Sequence, residues 1–351
     1  MFYIHQSACI SPQESFNEVN LSALREPVDN LLRAIEPPYE NIPPGILRRM
    51  GKAVRIGVGA ALPLVKQAGG IINGIVIGTG NGGMEDCIKF LNQIVQYEEG
   101  QLTPGNFVQS TPNAIAAQIG LLTKNQGYNI THVHRGLSFE NALLDAGMLL
   151  SENSDHQYLL GAVDEISSFN YNIDFLAGWY KKEDITGKDF YQQDSPGSIA
   201  GEGAAMFVVN NQIRNCSAAV RAIGTLHTAG VEDLQQYLQN FLKEQLLPGE
   251  KIDLLLSGEN GDNRDRSFYN CCESLIDPDA VVARFKHMCG EFATASAIAC
   301  WISLQIFKTQ SIAAHMIKKA TAIQQYRRVL IYNNHKHIQH SFLLLELPQQ
   351  L

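Results

Sequence analysis

The most constraining feature of this sequence is the stretch of residues 128–150, which reads YNITHVHRGLSFENALLDAGMLL. Residues 129–134 alternate in polarity in the way that predicts a strand with one buried face. After them, apolar residues recur at helical spacing, with Ser138 as the expected cap and Glu140 in the first turn. A strand, a tight turn and a buried helix together form a layout that presents a nucleophile at a helix N-terminus. Here the turn reads HRGL, so Gly136 and its neighbours offer no Cys, Ser or Thr at the apex.

The composition limits the classes of protein to which this chain can belong. With 45% hydrophobic and 18% charged residues over 351 positions, the chain can bury a large core and is not expected to be disordered. A net charge of −8 argues against general nucleic-acid binding. The seven cysteines form no C-x-x-C motif, which predicts reduced thiols and a cytoplasmic location. Neither a signal peptide nor a membrane-spanning segment is expected.

The remaining sequence alternates between strand-like and helix-like segments in two successive series. A boundary between them falls near residues 210–216, which divides the chain into residues 1–212 and residues 213–351. This alternation predicts an α/β protein with sheets that have helices between and around them.

The glycine-rich stretch of residues 69–83 admits two interpretations. Gly78, Gly80 and Gly83 match the G-x-G-x-x-G spacing of a dinucleotide-binding turn. However, about 70 residues precede the motif, and Glu98 and Glu99 lead into a Gly/Pro loop rather than ending a second strand. A tight strand-to-helix turn also needs glycine. We therefore expect a structural turn and no nucleotide cofactor.

Several short motifs then appear in an order that resembles the β-ketoacyl synthases of the thiolase fold. The chain most resembles the chain-length-factor type, which is found beside active synthases in type II polyketide and aryl-polyene systems. The resemblance implies a five-layer αβαβα fold built from two duplicated halves. The motifs are RM at residues 49–50, IGTG at 77–80 with GG at 82–83, PN at 112–113, GAVDE at 161–165 and GEGA at 201–204.

The resemblance also implies that the catalytic residues are absent. The family uses one Cys and two His, and the matching positions here hold Gly136, Asn260 and Glu291. Glycine cannot form a thioester, and Asn cannot act as an acid or base near neutral pH. A carboxylate opposes the carbanion and oxyanion of decarboxylative condensation. Lys286 matches the family lysine but supplies no nucleophile by itself.

Other side chains could remodel the pocket. His132 and His134 are two apart on a strand and therefore share a face. Residues 332–337 stand where the family has a glycine-rich loop beside the active site, so their histidines are expected near Gly136. Such histidines could fill a vestigial pocket, bind a metal or act in acid–base chemistry; no metal site is predicted, and Cys289 is read as a packed apolar residue. The predicted pocket group is His132, His134, Arg135, Lys286, Cys289, His335 and His337.

The resemblance further implies a partner. In the family, dimers pair the strand before the nucleophile turn, which here is residues 129–134. The small-residue-rich helix predicted over residues 112–122 would lie beside it and leave room for an acyl chain. The same residues could instead pack only within this subunit. The predicted interface and tunnel residues are Phe107, Gln109, Ala114, Ala117 and Ile130.

Three functions remain open from the sequence. The first is a non-catalytic subunit that pairs with an active ketosynthase, or with a second copy of itself, and shapes the acyl tunnel. An acyl carrier protein would then be met through the partner. The basic side chains of residues 48–55 could also meet an acidic carrier protein, but a solvated helix face is the favoured interpretation. The second is an acyl-processing enzyme that uses His and Glu residues for hydrolysis or dehydration. The third is a free-standing acyl-binding scaffold.

Overall fold

The computed structural model describes residues 1–68, 70–187 and 189–348. Gly69, the first residue of the glycine-rich stretch, and the last three residues of the predicted second half lie outside the described residues. In the described part of the chain, no helix is both long and apolar enough to cross a membrane.

Strands and helices alternate along most of the chain. The strands are β1 (Phe2–Ile10), β2 (Leu31–Leu32), β3 (Gly74–Gly78), β4 (Tyr128–His132), β5 (Gln157–Asp164), β6 (Ala200–Gly201), β7 (Gly203–Asn210), β8 (Ala218–His227), β9 (Leu254–Ser257), β10 (Val281–Arg284), β11 (Ile317–Lys319), β12 (Arg328–His335) and β13 (Gln339–Glu346). The helices are α1 (Pro44–Leu47), α2 (Lys52–Gln67), α3 (Met84–Gln96), α4 (Pro104–Val108), α5 (Ala114–Thr123), α6 (Ser138–Glu152), α7 (Ser168–Leu176), α8 (Val231–Gln245), α9 (Arg266–Leu275), α10 (Lys286–Cys289) and α11 (Ala295–Thr309).

The strand order repeats in the two halves of the chain. Eleven strands form one mixed sheet in the order β11-β10-β9-β12-β13-β8-β1-β7-β5-β3-β4. The five main strands of the first half run β4-β3-β5-β7-β1, and those of the second half run β10-β9-β12-β13-β8, which is the same order relative to each half's own sequence. The two sets join where Phe2 to Ile4 of β1 pair with Val220 to Ala218 of β8. The duplication therefore appears in the topology, whereas the division at residues 212 and 213 stays a prediction.

Helices lie on both faces of each strand set and between the two sets, so the five-layer thiolase-like fold is confirmed. Helices α6 and α11 share one hydrophobic core with the inward faces of both strand sets. Helices α2 and α5 build a second core on the outer face of the first set. Helices α8 and α9 build a third on the outer face of the second set.

Helix α6 is buried as predicted, but its cap differs from the prediction. Phe139 is fully buried, and its ring centroid lies 5.9 Å from that of Phe207 on β7. Ser138 does not cap the helix. Its hydroxyl accepts from the His134 amide at 2.8 Å and donates to the Arg135 carbonyl at 2.8 Å, because the preceding turn competes for the same side chain.

Two other predicted boundaries shift by a few residues. Strand β4 ends at His132 rather than at residue 134. Helix α5 begins at Ala114 with Asn113 as its N-terminal flanking residue. The Thr111 hydroxyl donates to the Asn113 side chain at 2.9 Å, so the polar residues of this segment bond to each other before the helix starts.

Candidate functional site

The turn at the position of the family nucleophile leaves no space for a side chain. A 3-10 turn, Arg135–Leu137, joins β4 to α6, and Arg135 adopts a left-handed φ of 50°. Gly136 within this turn is buried. A Cβ built on Gly136 would overlap the Cβ and ring of His335 at the end of β12. The imidazole of His335 therefore occupies the place where a cysteine side chain would begin.

The backbone amide of Gly136 is also occupied. It donates a hydrogen bond to Oε1 of Gln339 at 2.9 Å. Nε2 of the same Gln339 side chain donates a hydrogen bond to the His134 carbonyl at 3.4 Å. An amide at the start of a helix is the kind of donor that stabilises an oxyanion. In this protein a buried side chain of β13 already satisfies it, and the sequence analysis missed Gln339.

Four of the predicted residues form one buried cluster. The Lys286 ammonium lies 2.8 Å from Oε1 of Glu291. Nδ1 of His335 lies 3.7 Å from the same oxygen. The Asn260 side chain donates to Oε2 of Glu291 at 3.1 Å. The structure thus brings together Asn260, Glu291 and Lys286, which the sequence analysis predicted to lie in one pocket, beside the His335 ring that covers Gly136.

The electrostatics of this cluster keep Glu291 ionised. Burial by itself would raise the pKa of Glu291, but the Lys286 ammonium and the His335 imidazole outweigh it and lower this pKa to about 2. Lys286 is fully buried, and its ammonium forms an ion pair with this carboxylate. The ionised Glu291 carboxylate would therefore oppose the negative charge that a condensation reaction develops in this pocket.

The remaining predicted pocket histidines are not part of this cluster. His337 pairs with Asp265, which also accepts from Asn334 at 2.8 Å. Its ring packs 4.8 Å from Trp179, on the rim of the pocket.

His132 and His134 share a face as expected, but that face lies against α6. His132 lies 2.9 Å from the Asp145 carboxylate, and Nδ1 of His134 lies 2.9 Å from the Asn141 amide. Asn141 and Asp145 are one helical turn apart on α6, so one helix face receives both rings. Neither histidine lines the pocket.

Cys289 is close to the cluster but is not an activated thiol. Its side chain is fully buried, and its Sγ lies 3.4 Å from the Gly290 carbonyl. Burial raises the pKa of the Cys289 thiol to about 12. The thiolate, which is the reactive form, is therefore disfavoured.

A cavity of about 410 Å³ lies in front of this cluster. The helix α7 and the loop that carries Trp179 and Tyr180 form its outer wall. The described residues hold no group of three or more His, Cys, Asp or Glu side chains placed to bind a metal ion. From the predicted set, the lining residues are Arg135, Asn260, Glu291 and His335.

The glycine-rich turn after β3 binds a carboxylate of the protein itself. Asp164 accepts from the amides of Gly80 and Asn81, each at 2.9 Å, and from the Thr79 hydroxyl at 3.0 Å. Thr294 before α11 donates its hydroxyl to the same carboxylate at 2.8 Å. Amides that could hold a phosphate are thus occupied by Asp164, as befits a structural turn.

The predicted interface residues lie at one edge of the molecule. Strand β4 is the last strand of the sheet, and within the described residues its outer edge has no strand partner. Ile130 in β4 and Ala117 in α5 are half-buried, and Ala114 is buried. Exposed apolar side chains accompany this edge, and we call them the β4 edge face: Leu121, Tyr128 and Val133.

Two of the predicted interface and tunnel residues, Phe107 and Gln109, differ from each other. Phe107 in α4 is 60% exposed and packs on Phe90, with ring centroids 5.2 Å apart. Gln109 is engaged within the subunit. Its side chain accepts from the Gly51 amide at 2.6 Å and donates to the Arg49 carbonyl. Gln109 therefore fastens α4 to the segment before α2.

Comparisons with known proteins agree with this geometry. Residues 26–173 match the model of the β-ketoacyl synthase N-terminal domain. A search of curated proteins found no match. Similar solved structures include a β-ketoacyl synthase from Burkholderia phymatum STM815, with 14% identity, a TM-score of 0.79 and coverage of 99% of both chains.

Two further similar structures are complexes. The ishigamide ketosynthase/chain length factor has 15% identity and a TM-score of 0.80, over 99% of both chains. The ketosynthase ApeO in complex with its chain length factor ApeC, from Xenorhabdus doucetiae, has 11% identity and a TM-score of 0.76, over 99% of this chain and 98% of that chain.

These findings show that the chain has the fold of solved thiolase-fold ketosynthases over nearly its whole length. Residues 26–173 are similar to the β-ketoacyl synthase N-terminal domain, and the resemblance inferred from the motifs is confirmed.

Proposed function

We propose that this chain is a non-catalytic ketosynthase-like subunit of the chain-length-factor type. It pairs with an active ketosynthase, shapes the acyl tunnel of the pair and meets the acyl carrier protein through that partner. Cytoplasmic location and the absence of a cofactor belong to the same proposal.

The proposal rests on the surroundings of Gly136, where no space and no free amide remain. A condensing enzyme needs a nucleophile, an oxyanion donor and space for the acyl group at this turn. Gly136 supplies no nucleophile, its amide is taken by Gln339, and the space is filled by His335. All three requirements are unmet at the same residue, so a single substitution does not restore them.

The charges around the turn support the same conclusion. The Lys286–Glu291 pair is buried and complete, and Asn260 adds a hydrogen bond to it. A buried pair of this kind is costly to break because it leaves one charge without a partner. The cluster is therefore suited to stabilising a remodelled pocket.

The pairing part of the proposal rests on the β4 edge face. An open strand edge offers unpaired backbone groups to a second chain, and exposed apolar side chains beside it favour such an interaction. Two of the similar structures are described as a ketosynthase together with its chain length factor. A second copy of this chain is the competing occupant of the same edge.

Purification of a tagged chain from its own cells tests the pairing. We expect a stable 1:1 complex with a ketosynthase that carries the Cys-His-His set. In the reconstituted pair, Ala117→Trp should weaken assembly or shorten the product, because Ala117 is half-buried beside β4. The matched control is Leu247→Trp, since Leu247 is exposed and follows α8, which packs on β8 and α9. Wild-type yield and product length with Ala117→Trp would refute the interface assignment.

One observation favours a second candidate, an acyl-processing enzyme. Nδ1 of His335 faces the Glu291 carboxylate in a cavity of about 410 Å³, which is a geometry that can orient an imidazole as a general base. Hydrolysis of an acyl thioester by the purified chain, lost in His335→Gln, would support it. If the wild-type chain hydrolyses no acyl thioester, the second candidate is excluded and the non-catalytic subunit remains.

A further inference from the structure

Two histidines away from the pocket belong to a hydrogen-bonded chain that ties four segments together. Nε2 of His287 in α10 lies 2.8 Å from Nδ1 of His315 in the 3-10 turn Ala314–Met316. The Tyr191 hydroxyl lies 2.8 Å from Nδ1 of His287, and Nε2 of His315 lies 2.8 Å from the Leu21 carbonyl oxygen. We call these four groups the histidine chain. It runs from the loop after α7 through α10 to a loop near the N-terminus.

The two ends of the histidine chain fix the protons inside it. The Leu21 carbonyl can only accept, so Nε2 of His315 carries a proton and donates it. Nδ1 of the neutral His315 ring is then an acceptor, so Nε2 of His287 donates to it. Nδ1 of His287 accepts in turn from the Tyr191 hydroxyl, whose oxygen also accepts from the His287 amide at 3.2 Å. Every hydrogen bond of the chain is therefore satisfied when both rings are neutral and carry their protons on Nε2.

A second proton on either ring disrupts this arrangement. On Nδ1 of His315 it would meet the Nε2 proton of His287, and on Nδ1 of His287 it would displace the hydroxyl proton of Tyr191. Burial, the neighbouring His315 ring and the Arg284 guanidinium lower the pKa of His287 to about 3. The intact chain is therefore compatible only with uncharged rings.

The charged groups around the histidine chain do not offset such a proton. The Arg284 guanidinium of β10 lies 3.6 Å from the centroid of the Tyr191 ring. The carboxylate of Glu259 lies 3.4 Å from this guanidinium and 2.7 Å from the Lys318 ammonium of β11, so it already serves two cations. Lys286 precedes His287 on α10 and adds a further cation. The surroundings therefore oppose a positive charge on the rings.

The loop that the histidine chain reaches is closed at its base by one side chain. We call residues 16–24 the N-terminal loop. Nε2 of Gln13 donates to the Met288 carbonyl at 2.7 Å, and Oε1 of Gln13 accepts from the Arg25 amide at 2.8 Å. Nearer the tip, the uncharged carbonyl of Leu21 contacts the histidine chain. Breaking the chain therefore frees the tip of the loop, while Gln13 still holds its base.

We propose that the histidine chain is an acid-sensitive latch between α10 and the N-terminal loop. At neutral pH the latch is closed. A proton taken up by the two rings separates His315 from His287 and releases the loop together with residues 311–316. Because His287 directly follows Lys286, which pairs with Glu291, the latch also links the loop to the floor of the pocket. The device is independent of any pairing with a ketosynthase.

Proton linkage gives the direction and the pH range of the opening. The pKa of His287 is lowered from 6.5 to about 3 in the closed latch, so the open form binds the proton more tightly. The closed form is therefore fully favoured above pH 6.5 and loses stability as the pH falls below that value. Between pH 7.5 and pH 5.0 the opening equilibrium shifts by up to about 30-fold for this one ring.

The nitrogen-15 shifts of the histidine rings report the protonated nitrogen directly. At pH 7.5 we expect both His287 and His315 to carry their protons on Nε2, with each signal assigned by its loss in the matching Gln variant. A proton on Nδ1 of either ring at this pH would contradict the order of donors and acceptors in the chain.

Hydrogen exchange of the isolated full chain, corrected for the intrinsic rate at each pH and read by mass spectrometry, tests the latch itself. We expect the protection of residues 16–24 and 311–316 to fall by about tenfold or more from pH 7.5 to pH 5.0, with no such fall in α6 and α11. Equal protection at the two pH values, or an equal loss along the whole chain, would overturn the proposal.

A pair of variants separates the latch from other histidines. His315→Gln removes the ring that contacts the N-terminal loop, so exchange of the loop should no longer depend on pH beyond the intrinsic rate. His156→Gln is the matched control, because Nδ1 of His156 also lies 3.0 Å from a tyrosine hydroxyl, that of Tyr158, outside the histidine chain. The control should keep the wild-type dependence on pH. Wild-type dependence in His315→Gln would exclude the latch.

Discussion

At the scale of single residues, the closed turn at Gly136 leads to a direct test. Gly136→Cys restores the atom that the family uses but leaves His335 and Gln339 in place. We expect no acyl adduct on this cysteine when acyl-carrier substrates are offered, as read by intact mass. We also expect a loss of about 1–3 kcal/mol of stability from overpacking.

The matched control for stability is Gly45→Cys, because a Cβ at Gly45 meets no atom within 4 Å. Its melting temperature should stay near that of the wild type. An acyl adduct on Gly136→Cys without further changes would show that the turn is open.

A second residue-scale prediction concerns the pH dependence of stability. Burial, with a further contribution from the carboxylate of Asp86, raises the pKa of Glu165 to about 7. Between the ordinary Glu value near 4.5 and pH 7, the unfolded chain releases this proton while the folded chain keeps it, so stability falls as pH rises through this window.

Glu165→Gln removes the group whose titration lowers stability above pH 4.5, and its side-chain oxygen can still accept from the Ala53 amide. We expect the variant to be more stable than the wild type at pH 8, by roughly 1–3 kcal/mol, and to differ little from it at pH 4.5. Urea denaturation at both pH values measures this. An equal difference at the two values would exclude Glu165 as the cause.

The residues of the site could be predicted from sequence only in part. Matching by resemblance predicted that Gly136, Asn260, Glu291 and His335 lie close together, and the structure places them so; that the first three replace a catalytic set stays a prediction. Gln339 was missed, because no local pattern tells which side chain of a hairpin reaches a distant amide. The spacing of His132 and His134 predicted that they share a face of the strand. It could not predict that this face lies against α6, where Asn141 and Asp145 bind the two rings.

At the scale of elements, the burial of α6 organises the central layer. Phe139 is completely buried between the strand sets, whereas Met148 on the same helix is 60% exposed. Phe139→Ala should reduce the free energy of unfolding by about 3–5 kcal/mol through the cavity that it leaves. Met148→Ala, the control, should change it by no more than about 0.5 kcal/mol in chemical denaturation. Similar effects of the two substitutions would contradict the central position of this helix.

Helical spacing and strand alternation predicted the type of these elements well, because both arise from which side chains are buried. Their ends were less predictable. Ser138 and Thr111 each had a competing partner, namely the preceding turn and Asn113. A capping side chain can be identified from sequence only where no other hydrogen-bond partner is within reach.

At the scale of the whole molecule, the repeated strand order leaves two different sheet ends. One end is β11, which carries Lys318 and its ion pairs to Glu259 and Glu273. The other end is β4 with its apolar edge face. Sequence could indicate two halves and their alternation, but the joining of β1 to β8 depends on long-range pairing that local patterns do not contain.

The difference between the two ends predicts how assembly responds to charge. Leu121→Lys places a cation on the β4 edge face, where Leu121 is 74% exposed, and should weaken complex formation without unfolding the chain. Leu247→Lys introduces the same charge at a similarly exposed position away from β4 and should have no effect. Size-exclusion chromatography with light scattering measures both, and equal assembly by the two variants would exclude this edge.

The central claim is that this chain joins a condensing complex without carrying the acyl group. The most direct measurement is the intact mass of each subunit after the reconstituted complex has been incubated with acyl- and malonyl-loaded carrier protein. We predict an acyl adduct on the ketosynthase partner and an unchanged mass for this chain, because Gly136 offers no nucleophile and the Cys289 thiol is buried with a pKa raised to about 12. An acyl adduct on this chain, at Cys289 or at any other residue, would contradict the account.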